Sequence, residues 1–153
     1  MMRTEGFGIN VLSALTKTLI QFVCYSFVDD TDLGHSTTSV NTPGETIMEE
    51  MQRALNLWEG GIRATGGAIV PEKSYWCLID FLWNGSKWIY RHIQDCPGDI
   101  FIKNINDDTR VKLERCESEE AKETLGGFLA IDGNNKAQVA HLTKKAKEFA
   151  DCL

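Results

Sequence analysis

Residues 20–27 read Ile-Gln-Phe-Val-Cys-Tyr-Ser-Phe, a run rich in β-branched and aromatic side chains, and one residue later the chain meets two adjacent carboxylates, Asp29 and Asp30. Such a run predicts a buried strand, extending over residues 19–27. Residues 31–36 then return antiparallel, which makes Asp29-Asp30 the tip of a hairpin. Neighbouring negative charges held at the end of an apolar strand are costly without a counter-ion, so the tip is a candidate site for a divalent metal. Asp32, two residues further on, fits a solvent-facing or hydrogen-bonded strand position better than a third ligand.

A helix start follows a polar linker at residues 37–41. Thr42-Pro43-Gly44-Glu45 supplies a capping hydroxyl, a proline at the first helical position and a glutamate three residues after the threonine. Ile47, Met51, Leu55, Trp58 and Ile62 recur at spacings of three and four and predict one apolar stripe, with Glu49, Glu50, Gln52, Arg53 and Glu59 facing water. Gly60, Gly61, Gly66 and Gly67 loosen and end the helix. Sheet periodicity takes over after Pro71-Glu72-Lys73-Ser74. Residues 75–83 and 87–92 flank Asn84-Gly85 as a hairpin, and residues 99–103 and 109–113 form a second pair. Residues 118–121 open at most a short helical turn, residues 124–131 read as a strand, and Val139, Leu142, Ala146, Phe149 and Leu153 mark a final amphipathic helix. Residues 1–18 suggest the tail of a helix and a loop, broken at Gly6 and Gly8.

The 153 residues, 42% of them hydrophobic, suffice for one core and are too few to expect two. A formal net charge of −6 argues against a stand-alone nucleic-acid binder, which needs clustered Lys and Arg. Cys24, Cys77, Cys96, Cys116 and Cys152 are odd in number and never spaced C-x-x-C. The three histidines form no ligand pair with them, so a zinc site or a disulfide framework is not expected, and reduced thiols inside the cell are the expectation. No secretory signal is visible, and residues 11–28 carry Lys17 and Gln21 and fall short of the roughly 20 apolar residues of a spanning helix, so no membrane role is expected.

The Asp-Asp dipeptide alone carries little weight, because Asp107-Asp108-Thr109 repeats Asp29-Asp30-Thr31 inside an ordinary polar loop. Context separates the two copies. Phe27-Val28-Asp29-Asp30, the helix of residues 48–62, the turn Pro71-Glu72-Lys73-Ser74 and the segment Leu125-Gly126-Gly127-Phe128-Leu129 follow one another in the order found in reverse transcriptases, and the chain resembles the palm domain of retroelement polymerases. The Trp-Glu-Gly-Gly and Gly-Gly-Ala-Ile-Val-Pro-Glu-Lys-Ser wording resembles those abundant in algal and diatom genomes. The resemblance covers most of the chain from about residue 19; residues 75–123 exceed the family's usual connection.

The resemblance implies an α+β fold: a partial polymerase palm at residues 1–134, with an insertion near 93–123, made of an antiparallel sheet with an acidic β-hairpin and packed helices. Residues 135–153 would begin a thumb-like helix. It implies RNA-templated DNA synthesis in a retrotransposon's RNA-directed DNA polymerase, with Mg2+ as cofactor and an RNA template, a DNA primer and dNTPs as partners. In such nucleotidyl transfer two ions about 3.5–4 Å apart activate the primer hydroxyl and stabilise the leaving pyrophosphate, so carboxylates must converge from separate strands. Asp29 would be a metal ligand and Asp30 a supporting one. Lys73 would lie near the nucleotide phosphates as catalytic acid or charge stabiliser, and is equally well read as a solvated turn lysine. Leu125 and Gly126 would form a primer grip. Lys144, Lys145 and Lys147 either touch the nucleic-acid backbone or form a solvated face. Trp58, Trp76, Trp83 and Trp88 invite base stacking, although core packing suits Trp58 and cross-strand packing suits Trp83 and Trp88.

In that family a further aspartate comes from an earlier strand, and a glycine-containing segment lies between it and the hairpin. Too little chain precedes residue 19 to hold either. The expectation is a fragment of such a polymerase, catalytically incomplete by itself. The alternative is a degenerate or co-opted remnant acting as a protein-interaction module; a metal-dependent nuclease finds no support in the motif order.

Overall fold

A computed structural model describes residues 2–27, 30–37, 39, 41–104, 106–107, 109–124 and 126–152. In chain order the elements are β1 (Ile9–Leu12), β2 (Leu19–Phe22), β3 (Cys24–Phe27), β4 (Asp30–Leu33), α1 (Gly44–Ala64), a 3-10 turn (Pro71–Lys73), β5 (Tyr75–Trp76), β6 (Phe81–Trp83), β7 (Trp88–Tyr90), β8 (Phe101–Lys103), β9 (Arg110–Lys112), β10 (Glu114–Arg115), β11 (Ala121–Thr124), β12 (Gly127–Ala130) and α2 (Lys136–Asp151). The fold is mixed α and β. Several two-stranded sheets stand where one antiparallel sheet was expected. The chain also divides into two compact units where a single core was expected: Met1–Trp76 with Cys96–Glu114, and Cys77–Asp95 with Arg115–Leu153. Among the described residues, every buried hydrophobic side chain except Cys116 belongs to the first unit: Phe7, Met48, Ala54, Leu55, Trp76, Cys96, Ile100, Ile102 and Leu113.

In the first unit, the apolar run of residues 19–27 is two strands, not one. β2 pairs with β1, from Ile9↔Phe22 to Leu12↔Leu19, and β3 pairs with β4, from Cys24↔Leu33 to Phe27↔Asp30. Val23 stands between them, its carbonyl accepting the Gly34 amide at 3.0 Å. The expected helix tail before residue 18 is instead a turn over residues 2–6 followed by β1. β-branched and aromatic density fixes strand character but not where one hairpin hands over to the next.

His35, just past β4, ties three segments together. Its Nδ1 accepts the Gly8 amide at 3.4 Å, so the ring proton sits on Nε2, which donates to Glu50 of α1 at 2.9 Å. Phe7 meets the ring edge-on, with centroids 5.5 Å apart. Gly8 returns a second bond, its carbonyl accepting Ser36 N–H at 3.1 Å.

α1 spans the expected residues but differs at its start and in its buried face. Pro43, not Thr42, is the N-cap, and no side chain caps the helix; the Thr42 hydroxyl bonds Thr37 Oγ1 instead. Its buried residues are Gly44, Met48, Ala54, Leu55 and Glu59, so only Leu55 of the expected stripe is fully enclosed. Three polar residues expected to face water make tertiary bonds: Glu50 to His35, Gln52 to Phe101 and Glu59 to Lys103. The reason lies in β8. Ile102 pairs with Val111 on β9, which turns the amide and carbonyl groups of Phe101 and Lys103 outward. Gln52 accepts from Phe101 N–H at 2.7 Å and donates to its carbonyl at 2.8 Å; Glu59 accepts Lys103 N–H at 2.9 Å; Arg63 donates to the Lys103 and Asn104 carbonyls, each at 3.1 Å. Helix side chains thus act as the missing neighbouring strand and cover the sheet edge. They also hold α1 on both sides of Gly60-Gly61, through which the helix runs on to Ala64.

Gln52→Ala leaves the Phe101 amide and carbonyl without these partners. Its expected cost is about 1–3 kcal/mol, read as a lower urea midpoint at unchanged m-value. Arg53→Ala, one residue along on the exposed side, should cost no more than about 0.5 kcal/mol. Equal midpoints for the two variants would show that water replaces Gln52 at no cost.

The second unit is built from hairpins and α2. Asn84-Gly85 turns β6 into β7 as expected, with Trp83↔Trp88 and Phe81↔Tyr90 paired; the Asn84 carboxamide oxygen accepts the Ser86 and Lys87 amides. The strand expected at 75–83 is broken, β5 and β6 being separated by residues 77–80. Ala121 opens a strand, not a helical turn, and β11 pairs with β12 from Ala121↔Ala130 to Thr124↔Gly127. α2 keeps its expected span, anchored where Gln138 Oε1 accepts the Phe128 amide at 2.7 Å. Its apolar stripe is not buried: Val139, Leu142 and Phe149 are exposed, Phe149 by 72%.

Candidate functional site

The acidic hairpin is formed by β3 and β4. Cross-strand pairs Tyr25↔Asp32, Ser26↔Thr31 and Phe27↔Asp30 set its register, and the Ser26 and Thr31 hydroxyls bond at 3.0 Å. Asp29 lies outside the described residues. Asp30 opens β4 and is exposed, and Asp32, on the same face by strand alternation, is exposed too. The solvent-facing expectation for Asp32 therefore holds. Neither belongs to a group of three convergent His, Cys, Asp or Glu side chains among the described residues. The described part of the hairpin offers Mg2+ one or two carboxylates, a partial ligand set, and no catalytic step can be built on it.

Lys73 ends the 3-10 turn, with its side chain exposed and without an ion pair among the described residues. The turn is held by its own backbone, Lys73 N–H donating to Val70 O at 3.2 Å and Ser74 N–H to Pro71 O at 3.1 Å, while Ser74 Oγ donates to Val70 O at 2.8 Å. Proline at its start and the serine hydroxyl at its end explain why Pro-Glu-Lys-Ser folds this way. A depression of about 660 Å³ in the first unit is lined by Glu45, Met48, Gln52, Arg53 and Phe101 among others, and includes neither Asp30 nor Lys73.

The remaining expected residues lie in the second unit. Leu125 lies outside the described residues; Gly126 is exposed at the tip between β11 and β12, with φ +78°, a conformation that glycine adopts without strain. Lys144, Lys145 and Lys147 are exposed on α2, and Lys144 stands 3.8 Å from Glu148 one turn on. Trp58 is half-buried and Trp76 buried, as core packing requires. Trp83 and Trp88 pack across their strands with centroids 5.4 Å apart, while each keeps half or more of its surface exposed.

The second Asp-Asp copy behaves as an ordinary turn. Asp107 Oδ1 accepts the Thr109 hydroxyl at 2.7 Å and its amide at 3.0 Å, and these two bonds hold the Asp107 carboxyl below its usual value. Asp108 lies outside the described residues. His35 and Glu50 were not singled out from sequence, because nothing local to either residue announces a partner 15 positions away. No helix among the described residues is long and apolar enough to cross a membrane. No disulfide joins the five cysteines. No family model, curated protein or solved structure matches the chain.

Proposed function

We propose that the chain is part of a reverse transcriptase palm with the beginning of the thumb, from a retroelement's RNA-directed DNA polymerase. The observation that carries this reading is the hairpin of β3 and β4, whose register brackets positions 28–29 between Phe27 and Asp30. The order of the later elements supports it: α1, the Pro-Glu-Lys-Ser turn, the β11–β12 hairpin with Gly126 before its second strand, and α2. In the full-length parent, Asp29 and Asp30 bind Mg2+ beside a carboxylate from another strand, Lys73 faces the leaving phosphates, and RNA template, DNA primer and dNTP are the partners. On this reading a carboxylate from another strand is required, and the chain of 153 residues is expected to give no product by itself.

The test joins sequence and activity. Reading the gene upstream of Met1 is expected to add a strand-borne Asp and a Gln-Gly type loop in frame. The polypeptide so extended should elongate a DNA primer on an RNA template with Mg2+, and Asp29→Asn should abolish this, while the chain of 153 residues gives no product. Unrelated upstream sequence together with an inactive extended protein would sink the reading. Activity of the short chain itself, lost in Asp29→Asn, would show that the site is complete.

A second reading, a non-catalytic remnant serving as an interaction module, is favoured by exposed apolar surface. On the β1–β2 hairpin Val11, Leu12, Leu15, Leu19 and Ile20 are all exposed, Leu15 by 94%. Val11 pairs with Ile20 on one face of the hairpin and Leu12 with Leu19 on the other, so both faces present apolar side chains, surface that suits contact with other protein. For such a module, Asp29→Asn and Asp30→Asn are neutral in every binding assay.

A further inference from the structure

In the second unit, three side chains far apart in sequence converge: His92, just after β7, and Glu117 and Glu119, just before β11. One ligating atom of each lies within 4.8 Å of the others. His92 Nδ1 is 3.6 Å from Glu117 Oε2, beyond a good hydrogen bond. We propose that this cluster is a binding site for a first-row transition-metal dication, with one imidazole nitrogen and two carboxylate oxygens as protein ligands and water completing the shell.

Charge balance carries the argument beyond proximity. Glu119 makes no ion pair among the described residues; the Ser118 hydroxyl, at 3.4 Å, is the donor to its carboxylate. Among the described residues the charged group paired with Glu117 is the His92 ring, an ion pair solely when that ring is protonated. The neighbouring cation, Lys122, is committed to Glu120 at 2.9 Å. Among the described residues, two carboxylates therefore face one spot without a lysine or arginine, a repulsive arrangement that a dication reverses.

The supporting groups lie outside the three ligands. The Ile93 amide donates to both Glu117 oxygens, at 3.1 and 3.3 Å, and orients that carboxylate. The Glu119 carbonyl accepts Asn134 Nδ2 at 3.2 Å, and the Ser118 carbonyl accepts the Asp132 amide at 2.9 Å, which fixes the loop carrying both glutamates. Hydrogen bonds of this kind, one step out from the ligands, hold them ready in metal sites. An imidazole with two carboxylates suits zinc, cobalt, manganese or iron, whereas magnesium prefers oxygen alone. Three protein ligands leave open positions, so a bound ion would be accessible to water or an anionic ligand.

The inference is independent of the polymerase reading, since none of its residues belongs to the acidic hairpin. Its test is a calorimetric titration of the metal-stripped, reduced full chain with Zn2+, with Co2+ as an absorbance probe. One equivalent of Zn2+ is expected to bind, with Mg2+ at least about tenfold weaker. His92→Ala and Glu119→Gln should each weaken Zn2+ more than about tenfold with unchanged circular dichroism, while Lys122→Ala and Asp30→Asn leave it alone. Zn2+ binding unaffected by His92→Ala and Glu119→Gln, no Zn2+ binding, or intense thiolate-to-cobalt absorption would each overturn the assignment. His92→Ala truncates an exposed side chain and Glu119→Gln changes only the charge of another, so neither opens a core and loss of fold in one is checked by the other.

Discussion

Gly8→Ala is expected to destabilise the first unit by about 2–4 kcal/mol, because two penalties fall on one residue. Gly8 has φ +127°, which side-chain-bearing residues rarely adopt, and a Cβ placed on it would stand 2.7 Å from the Phe22 carbonyl oxygen and 3.2 Å from Val23 Cγ2. The first contact is with backbone, so no rotamer relieves it. Moving residue 8 away pulls its amide from His35 and its carbonyl from Ser36, and with them the tie between β4 and α1. The measurement is the thermal or urea transition together with hydrogen exchange at the Ser36 amide, which should lose protection first. Gly60→Ala is the control of opposite sign. A Cβ there meets nothing within 4 Å and the residue is helical, so it should stabilise by about 0.5–1 kcal/mol. A Gly8→Ala variant as stable as the parent would mean that His35 does not close this loop.

Ile102→Ala is expected to cost about 3–4 kcal/mol, within the range for truncating an enclosed isoleucine. The side chain is 1% exposed, and Ile100, two residues earlier and just before β8, is equally enclosed. The cavity has little means of collapsing. The outer edge of β8 is bonded to Gln52, Glu59 and Arg63, and its inner edge to β9, so the strand cannot shift toward α1 without breaking hydrogen bonds on one side. Ile102→Val should cost only about 0.5–1.5 kcal/mol. Urea melts of the two variants give the comparison; an alanine variant no worse than valine would show that the site repacks.

The polymerase reading and the metal assignment rest on different evidence. The first depends on an order of motifs along the chain and on the hairpin register. The second depends on charge and distance in a unit where those motifs are sparse. An inactive extended polymerase would leave the His92 site standing, and a failed zinc titration would leave the acidic hairpin untouched.

Much of the local structure was legible from residue order. Asn-Gly between aromatic runs marked the β6–β7 turn, because an Asn side chain can bond the next amides and Gly accepts the turn's backbone. The pair β8–β9 and the spans of α1 and α2 followed equally from alternation and from three-four spacing. The acidic hairpin was legible as a hairpin, with Asp30 entering the strand and not the turn. The break at Val23 was not legible, since Phe22-Val23-Cys24 is uninterrupted strand chemistry and only the Gly34 amide, 11 residues on, claims the Val23 carbonyl.

By itself the sequence determined the spans of α1 and α2 and the turn at Asn84-Gly85, because those choices depend on side chains within one turn or one hairpin; it did not determine β1, β11 or the break at Val23. Tertiary structure alone decided which face of α1 is enclosed. Gln52 and Glu59 look solvent-facing by polarity, yet they are held against the chain because the outward amides of Phe101 and Lys103 need partners and, among the described residues, β8 has no second neighbouring strand. It decided equally that His35 meets Glu50 and that His92 meets Glu117 and Glu119. Hydrophobic periodicity records what each side chain prefers; it carries no record of a backbone group 40 or more residues away that must be bonded.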